Sequence, residues 1–144
     1  MAARNVFLTC DMKAKVAYVG VSTRRCIQTK WSAFEVLQAG STIKELSDVW
    51  SFGVFMWEIF HLGSEIPYEG KNGTKEILQF LEKGHRLSKP ELCPQYIYDL
   101  MLECWQERYL TRPTFQQLKN QLQIFQNLSN NSNLTTDTRI IITP

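Results

Sequence analysis

The feature of this sequence that most constrains its fold is an apolar run between Val49 and Leu62. Its large side chains leave no polar stripe of useful width around a helix, and a helix that is apolar on every side must be buried on every side. The run is too short to cross a bilayer, which takes about 20 residues, and Glu58 interrupts it. It predicts a buried central helix that begins near Ser47 and ends at Gly63.

Shorter patterns predict the elements before this helix. Residues 5–9 and 14–17 are rich in apolar and β-branched residues and flank a polar turn, which indicates a small hairpin. Residues 20–32 show no clear period and predict a loop, whereas residues 33–39 predict one or two helical turns.

Three amphipathic helices are predicted downstream. Thr74 is a candidate N-cap for a helix over 75–83, and Gly84 suits its C-terminus. A helix over about 95–105 carries an apolar stripe formed by Ile97, Leu100, Met101, Cys104 and Trp105. A last helix starts near Pro113 and carries Phe115, Leu118, Leu122 and Phe125. The sequence therefore predicts a mainly α fold, a small hairpin followed by a helical bundle around the central helix.

Composition sets the boundaries of the domain and excludes some functions. Residues 1–126 form the predicted domain, and residues 127–144 form a predicted disordered polar tail, rich in Asn, Ser and Thr over its first part. A formal net charge of +2 without a run of five Lys or Arg residues argues against a nucleic-acid binder. The four cysteines lack metal-site spacing. Reduced cysteines, no signal peptide and no membrane segment are expected, which favours a cytoplasmic protein.

Several short motifs occur in an order that resembles the large lobe of a protein tyrosine kinase. They are Ala2-Ala3-Arg4-Asn5, residues 15–22, residues 30–35, Ser47 to Gly53, Pro67-Tyr68, Cys104-Trp105 and Arg112 to Phe115. Each motif is weak alone, but together they cover about residues 1–125. The resemblance implies a protein-kinase-like C-lobe. In the complete family fold it implies transfer of the ATP γ-phosphate to protein tyrosines, with Lys30 and Trp31 on the substrate side.

The first implied site is the catalytic loop, which reads H-R-D-L-A-A-R-N in this family. Arg4 matches the Arg beside the substrate hydroxyl, and Asn5 matches the Asn that holds a magnesium ion. The Asp that accepts the hydroxyl proton would precede Met1, so it is expected to be absent from this chain. An alternative role for Arg4 and Asn5 is to hydrogen-bond local backbone in a loop.

The second implied site departs from the family pattern. The magnesium-binding D-F-G corresponds to Tyr18-Val19-Gly20. Magnesium prefers hard anionic oxygens, and a neutral phenol is a poor and bulky substitute. A Gly-rich phosphate loop is not found in the sequence either. We therefore expect this chain to bind the family's cofactors, magnesium and ATP, poorly.

The segment after Gly20 is also unusual. Only 12 residues separate Gly20 from Ala33, fewer than is usual in the family, and none of them is Tyr, so the usual phosphotyrosine switch has no acceptor. Arg24 and Arg25 could meet a phosphate, but a solvated basic loop is the alternative. Phe34 stands where the family has Pro.

Three matched residues are structural in the family. Glu35 and Arg112 correspond to a buried ion pair, whose disruption would leave one charge unpaired. Asp48 corresponds to an Asp that accepts backbone N–H groups of the catalytic loop. Its alternative role is to cap the central helix.

Three hypotheses of function remain open from the sequence. The chain is a fragment of a tyrosine kinase domain, inactive as it stands, whose partner would be a protein substrate. Alternatively, it is a pseudokinase-type interaction module that binds signalling partners through helices 75–83 and 95–105, or it is the product of a truncated gene model. Because the family covers the central helix with an upstream helix, this chain alone is expected to be marginally stable.

Overall fold

The computed structural model describes residues 1–16, 29–38 and 45–131. In chain order the elements are a 3₁₀ turn (Ala3–Asn5), β1 (Val6–Leu8), β2 (Ala14–Val16), α1 (Phe34–Leu37), α2 (Glu45–Phe60), α3 (Thr74–Glu82), α4 (Gln95–Cys104), a second 3₁₀ turn (Tyr109–Thr111) and α5 (Phe115–Asn131). The predicted mainly α fold with a small hairpin is confirmed.

The hairpin pairs β1 with β2 in antiparallel register, with Val6 opposite Val16 and Leu8 opposite Ala14. Its turn is closed by backbone hydrogen bonds of 2.9 Å from the Thr9 N–H to the Lys13 carbonyl and from the Met12 N–H to the Thr9 carbonyl. Both strands lie within the two short segments, rich in apolar and β-branched residues, that predicted them.

The α2 helix forms the centre of the core. One side is buried and consists of Ser47, Val49, Trp50, Ser51, Gly53, Val54, Met56 and Trp57. On the other side Phe52, Phe55 and Ile59 are only half-buried, so the prediction of burial all round is wrong there. Within the described residues, the Phe52 ring has Phe55 at 6.0 Å and Phe115 at 5.8 Å as aromatic neighbours, which cover only part of that side.

The α3 helix begins one residue earlier than its capping pattern predicted. Gly73 occupies the N-cap position and Thr74 is already helical, so Thr74 is not the N-cap. The Glu76 carboxylate instead accepts a hydrogen bond from the Asn72 N–H at 2.9 Å. At the other end Gly84, with a φ of +79°, makes the backbone bonds of a Schellman motif, which is the role its position predicted.

The α4 helix packs its predicted stripe against α2. Ile97, Leu100, Met101, Cys104 and the following Trp105 are all buried. The approach of the two helices is close at Gly53, where an ideal Cβ would lie 2.6 Å from Trp105 Nε1 and 2.9 Å from Cys104 Cβ. The absence of a side chain at Gly53 therefore sets the distance between α2 and α4.

The α5 helix begins with a capping box. The Thr114 hydroxyl accepts from the Gln117 N–H at 3.2 Å, and the Gln117 side chain accepts from the Thr114 N–H at 2.7 Å. The helix continues to Asn131, so residues 127–131 are helical rather than part of a disordered tail. Residues 132–144 lie outside the described part of the chain.

None of the helices in the described ranges has both the length and the apolar character needed to cross a membrane.

Candidate functional site

The 3₁₀ turn Ala3–Asn5 presents the matched catalytic-loop residues immediately before β1. The Asn5 N–H donates to the Ala2 carbonyl at 2.9 Å, which closes the turn. Ala2 is buried, Asn5 is half-buried and Arg4 is exposed. The Arg4 guanidinium lies over the Trp31 ring, 4.4 Å from its centroid, in a cation–π contact. The fold thus brings Arg4 beside Trp31, which belongs to the matched motif over residues 30–35.

Glu58 of α2 connects the 3₁₀ turn Ala3–Asn5 to Trp31. Its Oε2 atom accepts one hydrogen bond from the Ala3 N–H and another from Trp31 Nε1, each of 2.8 Å. Both donors are remote in sequence, because they lie 55 and 27 residues away along the chain. Glu58 therefore fixes the turn that carries Arg4 and Asn5 relative to Trp31.

In the sequence, Glu58 stands out only as an interruption of the apolar run between Val49 and Leu62. That interruption was itself the available signal, because a carboxylate within an otherwise apolar, buried helix needs hydrogen-bond donors. The pattern could identify the residue as unusual, but it could not say which donors would reach it.

We expect Glu58→Met to destabilise the domain by about 1–3 kcal/mol, because it leaves the Ala3 N–H and the Trp31 indole N–H without their acceptor. Amide hydrogen exchange at Ala3 should also accelerate in this variant relative to exchange within α4. The matched control is Glu103→Met at an exposed position of α4, which should change stability by less than about 0.5 kcal/mol. Equal effects of the two substitutions would show that the Glu58 bonds contribute nothing.

Lys30 and Trp31 lie at the edge of the core, next to the segment that leads to α1. Trp31 is buried, and its carbonyl accepts a hydrogen bond of 2.7 Å from the Ser51 hydroxyl of α2. The Lys30 ammonium group donates to the Tyr68 carbonyl at 3.4 Å. The predicted role of Lys30 and Trp31 in substrate binding stays a prediction.

Glu35 and Arg112 form the ion pair that the resemblance implied. Two guanidinium nitrogens of Arg112 donate to the two carboxylate oxygens of Glu35 at 2.8 and 2.7 Å. Ser47 donates to the same carboxylate at 2.8 Å, and Arg112 also donates to the Leu46 and Gln106 carbonyls. Burial alone would raise the pKa of the Glu35 carboxyl, but the hydrogen bonds from Arg112 and Ser47 hold it below its ordinary value.

The other matched positions are less informative. Asp48 lies exposed in the first turn of α2, and within the described residues its carboxylate accepts no hydrogen bond from the catalytic-loop backbone. Its predicted role as an acceptor for that loop stays a prediction. Tyr18, Arg24 and Arg25 lie outside the described residues.

The residues at the implied metal site do not fit a magnesium ion. Asn5 offers a neutral amide oxygen, and Tyr18 brings a phenol to the position of the second ligand in the sequence. Neither supplies the anionic oxygen that magnesium prefers. The described ranges also contain no cluster of three or more His, Cys, Asp or Glu side chains placed to hold a metal ion.

Comparisons with known proteins agree with this geometry. The family model described as protein tyrosine and serine/threonine kinase matches residues 1–122. A fibroblast growth factor receptor of Halocynthia roretzi is 38% identical over 134 residues, which cover 85% of this chain and 17% of the receptor. The tyrosine-protein kinase Shark of Drosophila melanogaster is 37% identical over 129 residues, which cover 80% of this chain and 13% of that kinase. The tyrosine-protein kinase Srms of Mus musculus is 38% identical over 133 residues, which cover 85% of this chain and 26% of that kinase.

The chain thus spans between 13% and 26% of the length of these curated relatives. The family match, in contrast, extends over residues 1–122 and includes every described site residue discussed above. The chain therefore belongs to the protein tyrosine and serine/threonine kinase family and is a fragment of a protein tyrosine kinase domain.

Proposed function

We propose that this kinase domain serves mainly to bind proteins in signalling, and that its phosphoryl-transfer activity is lost. The observation that carries the proposal is Tyr18, which stands where the family has its magnesium-binding Asp. Kinases of this family use magnesium and ATP and act on proteins. On this proposal the domain still binds a protein partner but no longer catalyses phosphoryl transfer.

The chemical argument rests on charge. In family members two magnesium ions bridge the ATP phosphates and neutralise the charge that develops on the transferred phosphoryl group. A tyrosine phenol at position 18 is neutral near pH 7, because its ordinary pKa is about 10. Asn5 alone leaves the metal site without an anionic ligand, so a large part of the electrostatic stabilisation is missing.

The scaffold around the site supports a binding role. The Glu35–Arg112 pair and the Glu58 hydrogen bonds hold α1, α2 and the 3₁₀ turn in a fixed arrangement that does not depend on a metal. The outward faces of α3 and α4 remain accessible, with Tyr96 40% exposed and the preceding Leu92 65% exposed. These faces are candidate contact surfaces for a signalling partner.

We further propose that the protein works in the cytoplasm. Kinases of this family use ATP. The described cysteines Cys10, Cys93 and Cys104 are free thiols, which fits the reducing environment of the cytoplasm. Burial raises the pKa of the Cys93 thiol to about 11 and that of Cys104 to about 12, so both are unreactive core residues.

The opposite hypothesis is an active kinase. Arg4, Asn5, Lys30 and Trp31 all match the active family, and their retention favours it. The two hypotheses differ in whether magnesium-ATP binds.

Isothermal titration calorimetry of the purified protein with ATP and magnesium chloride tests the proposal. We expect no magnesium-dependent binding at micromolar ATP, because the metal site lacks its carboxylate. A micromolar Kd that requires magnesium would overturn the proposal and favour the active kinase.

A further inference from the structure

We propose that an isoleucine run in the C-terminal segment, at residues 140–142, docks on an apolar patch of its own chain. The patch, which we call the α5 patch, consists of Tyr96, Ile124, Phe125 and Leu128. These four residues lie within the described part of the chain, whereas the isoleucine run lies outside it. The docking does not depend on whether the domain transfers phosphate.

Tyr96 forms the α4 side of the patch. Its ring stacks on that of Phe125, with a centroid separation of 5.9 Å and an interplanar angle of 12°. Its hydroxyl donates to the Gln121 carbonyl at 3.2 Å. Two contacts to α5 thus hold the Tyr96 ring in place, yet 40% of the residue is exposed. A segment that docks here meets a ring that is already ordered, so little side-chain entropy is lost.

Ile124 and Leu128 extend the patch along α5. They are four residues apart, so their side chains lie on one face of the helix, and they are 55% and 62% exposed. At about 100° per residue, Ile124, Phe125 and Leu128 fall within about 100° of the helix circumference. Large apolar side chains grouped on one exposed face indicate a contact surface rather than scattered exposure.

The α5 patch is distinct from the half-buried side of α2. The Phe115 ring, which lies 5.8 Å from that of Phe52 on that side of α2, precedes Ile124 by about two and a half helical turns. Phe115 and Ile124 therefore lie on opposite sides of α5. An element that completed the cover of α2 would still leave Ile124 exposed.

The length of chain between α5 and the isoleucine run permits the docking. Residues 132–139 separate the run from the end of α5 at Asn131. Eight residues can span up to about 26 Å. Leu128 and Ile124 lie only about 5 and 11 Å back along the helix axis from Asn131. A tether this short gives the run a millimolar effective concentration at the patch, so a weak contact is sufficient.

The chemistry of the segment matches the patch. The polar composition that predicted a disordered tail ends at residue 138, before three consecutive isoleucines at 140–142. Isoleucine side chains are stabilised when they leave water. Arg139 directly precedes the run, and its charge is opposite to that of Asp99, which is exposed three residues after Tyr96 on α4. Among the described residues Asp99 has no ion-pair partner.

A second copy of the chain fits the patch less well than the tethered segment. Specific interfaces bury about 800 Å² on each partner and involve about 20–30 residues a side. Four side chains fall well short of that size. A segment of the same chain avoids the loss of translational freedom that accompanies the association of two molecules.

Amide hydrogen exchange of α5 in the full chain tests the inference. The tail variant carries Ile140→Asn, Ile141→Asn and Ile142→Asn, and the patch variant carries Ile124→Gln and Leu128→Gln. The matched control replaces another exposed pair of the same residue types, with Leu62→Gln and Ile66→Gln. Circular dichroism first establishes that the helical content of the variants equals that of the wild type.

We expect exchange in residues 125–131 to be faster in the tail variant by about tenfold, the effect of exposing one buried isoleucine. The patch variant should accelerate exchange similarly, and the control pair should leave it unchanged. Because either set of substitutions removes the same contact, combining them should add nothing further. In the wild type, nuclear Overhauser effects between the isoleucine methyl groups of residues 140–142 and those of Leu128 should report the contact directly.

Unchanged exchange in the tail variant, additive effects of the tail and patch substitutions, or the absence of those methyl contacts would each overturn the inference. Protection of α5 that rises with protein concentration would assign the patch to a second copy and would overturn it as well.

Docking covers Tyr96 and so closes part of the α4 face that is a candidate contact surface for a signalling partner. This consequence rests on the proposed function, whereas the docking does not. Magnesium-ATP binding together with tail-dependent protection would overturn the proposed loss of activity but support the docking. Absence of both would overturn the docking and leave the lost activity supported.

Discussion

Replacing Arg112 with Ala is expected to destabilise the domain by about 3–5 kcal/mol, the range for breaking a buried ion pair by removing one partner. The Arg112 side chain is fully buried and that of Glu35 is 15% exposed. The substitution leaves the Glu35 carboxylate without its bidentate partner and removes the donors to the Leu46 and Gln106 carbonyls. Urea unfolding followed by tryptophan fluorescence measures the change.

The control for this prediction is Arg108→Ala, an exposed arginine of the same loop. It should change stability by less than about 0.5 kcal/mol. A loss at Arg112 no larger than the loss at Arg108 would contradict the structural role of the pair.

The same ion pair gives a pH dependence as a second readout. The pKa of Glu35 is lower in the folded state than its ordinary value of 4.5. Its contribution to stability is therefore fully present above that ordinary value and is lost as the pH falls through the folded-state pKa. In Glu35→Gln this part of the acid destabilisation should be absent, although the variant is less stable near neutral pH.

Replacing Gly53 with Ala is expected to destabilise the domain by about 3 kcal/mol, at the upper end of the range for overpacking a core. Helix propensity alone predicts the opposite sign, because Ala is favoured over Gly by about 1 kcal/mol within a helix. Packing prevails because the new Cβ would lie 2.6 Å from Trp105 Nε1 and 2.9 Å from Cys104 Cβ. Both neighbours are fully buried and have little room to move.

Gly73→Ala is the matched control for Gly53→Ala. An added Cβ at Gly73 meets nothing within 4 Å, and the backbone there is extended, with a φ of −146°. We expect a change of less than about 1 kcal/mol, the scale of a lost N-cap preference. Equal stability of the two variants in chemical unfolding would show that the approach of α2 and α4 can relax.

Much of the fold could be predicted because its local patterns agree with its tertiary packing. The α4 stripe specifies one buried face, and the structure buries these residues as expected. The two short segments rich in apolar and β-branched residues predicted the hairpin, and they pair as expected although most of their side chains are exposed. One prediction failed at the N-terminus of α3, where two local arrangements compete. Thr74 has the chemistry of an N-cap, yet Gly73 takes that position while Glu76 reaches back to the Asn72 N–H.

At the end of α5, composition alone predicted disorder where the helix continues. Residues 127–131 have a composition that cannot bury a core, but extending an existing helix needs no new core. Elongation adds one hydrogen bond for each residue fixed, and the cost of nucleation has already been met by the capping box at Thr114 and Gln117.

The site was predictable only in part. Arg4, Asn5, Lys30 and Trp31 were found through their order in the chain, and the structure brings Arg4 and Trp31 into contact. Glu58 could not be assigned, because no local rule connects a helix residue to an indole and a backbone N–H that are remote in sequence. The half-buried side of α2 could not be predicted either, because the apolar pattern of a helix does not show which neighbouring elements cover it.

We propose that this kinase domain retains its scaffold but no longer transfers phosphate. The most direct measurement is incorporation of labelled phosphate from γ-labelled ATP into a tyrosine-containing peptide, with magnesium present and with an Asn5→Ala variant beside the wild type. We predict that the wild type gives no incorporation above the variant or the protein-free blank. Incorporation by the wild type that Asn5→Ala abolishes would contradict the claim.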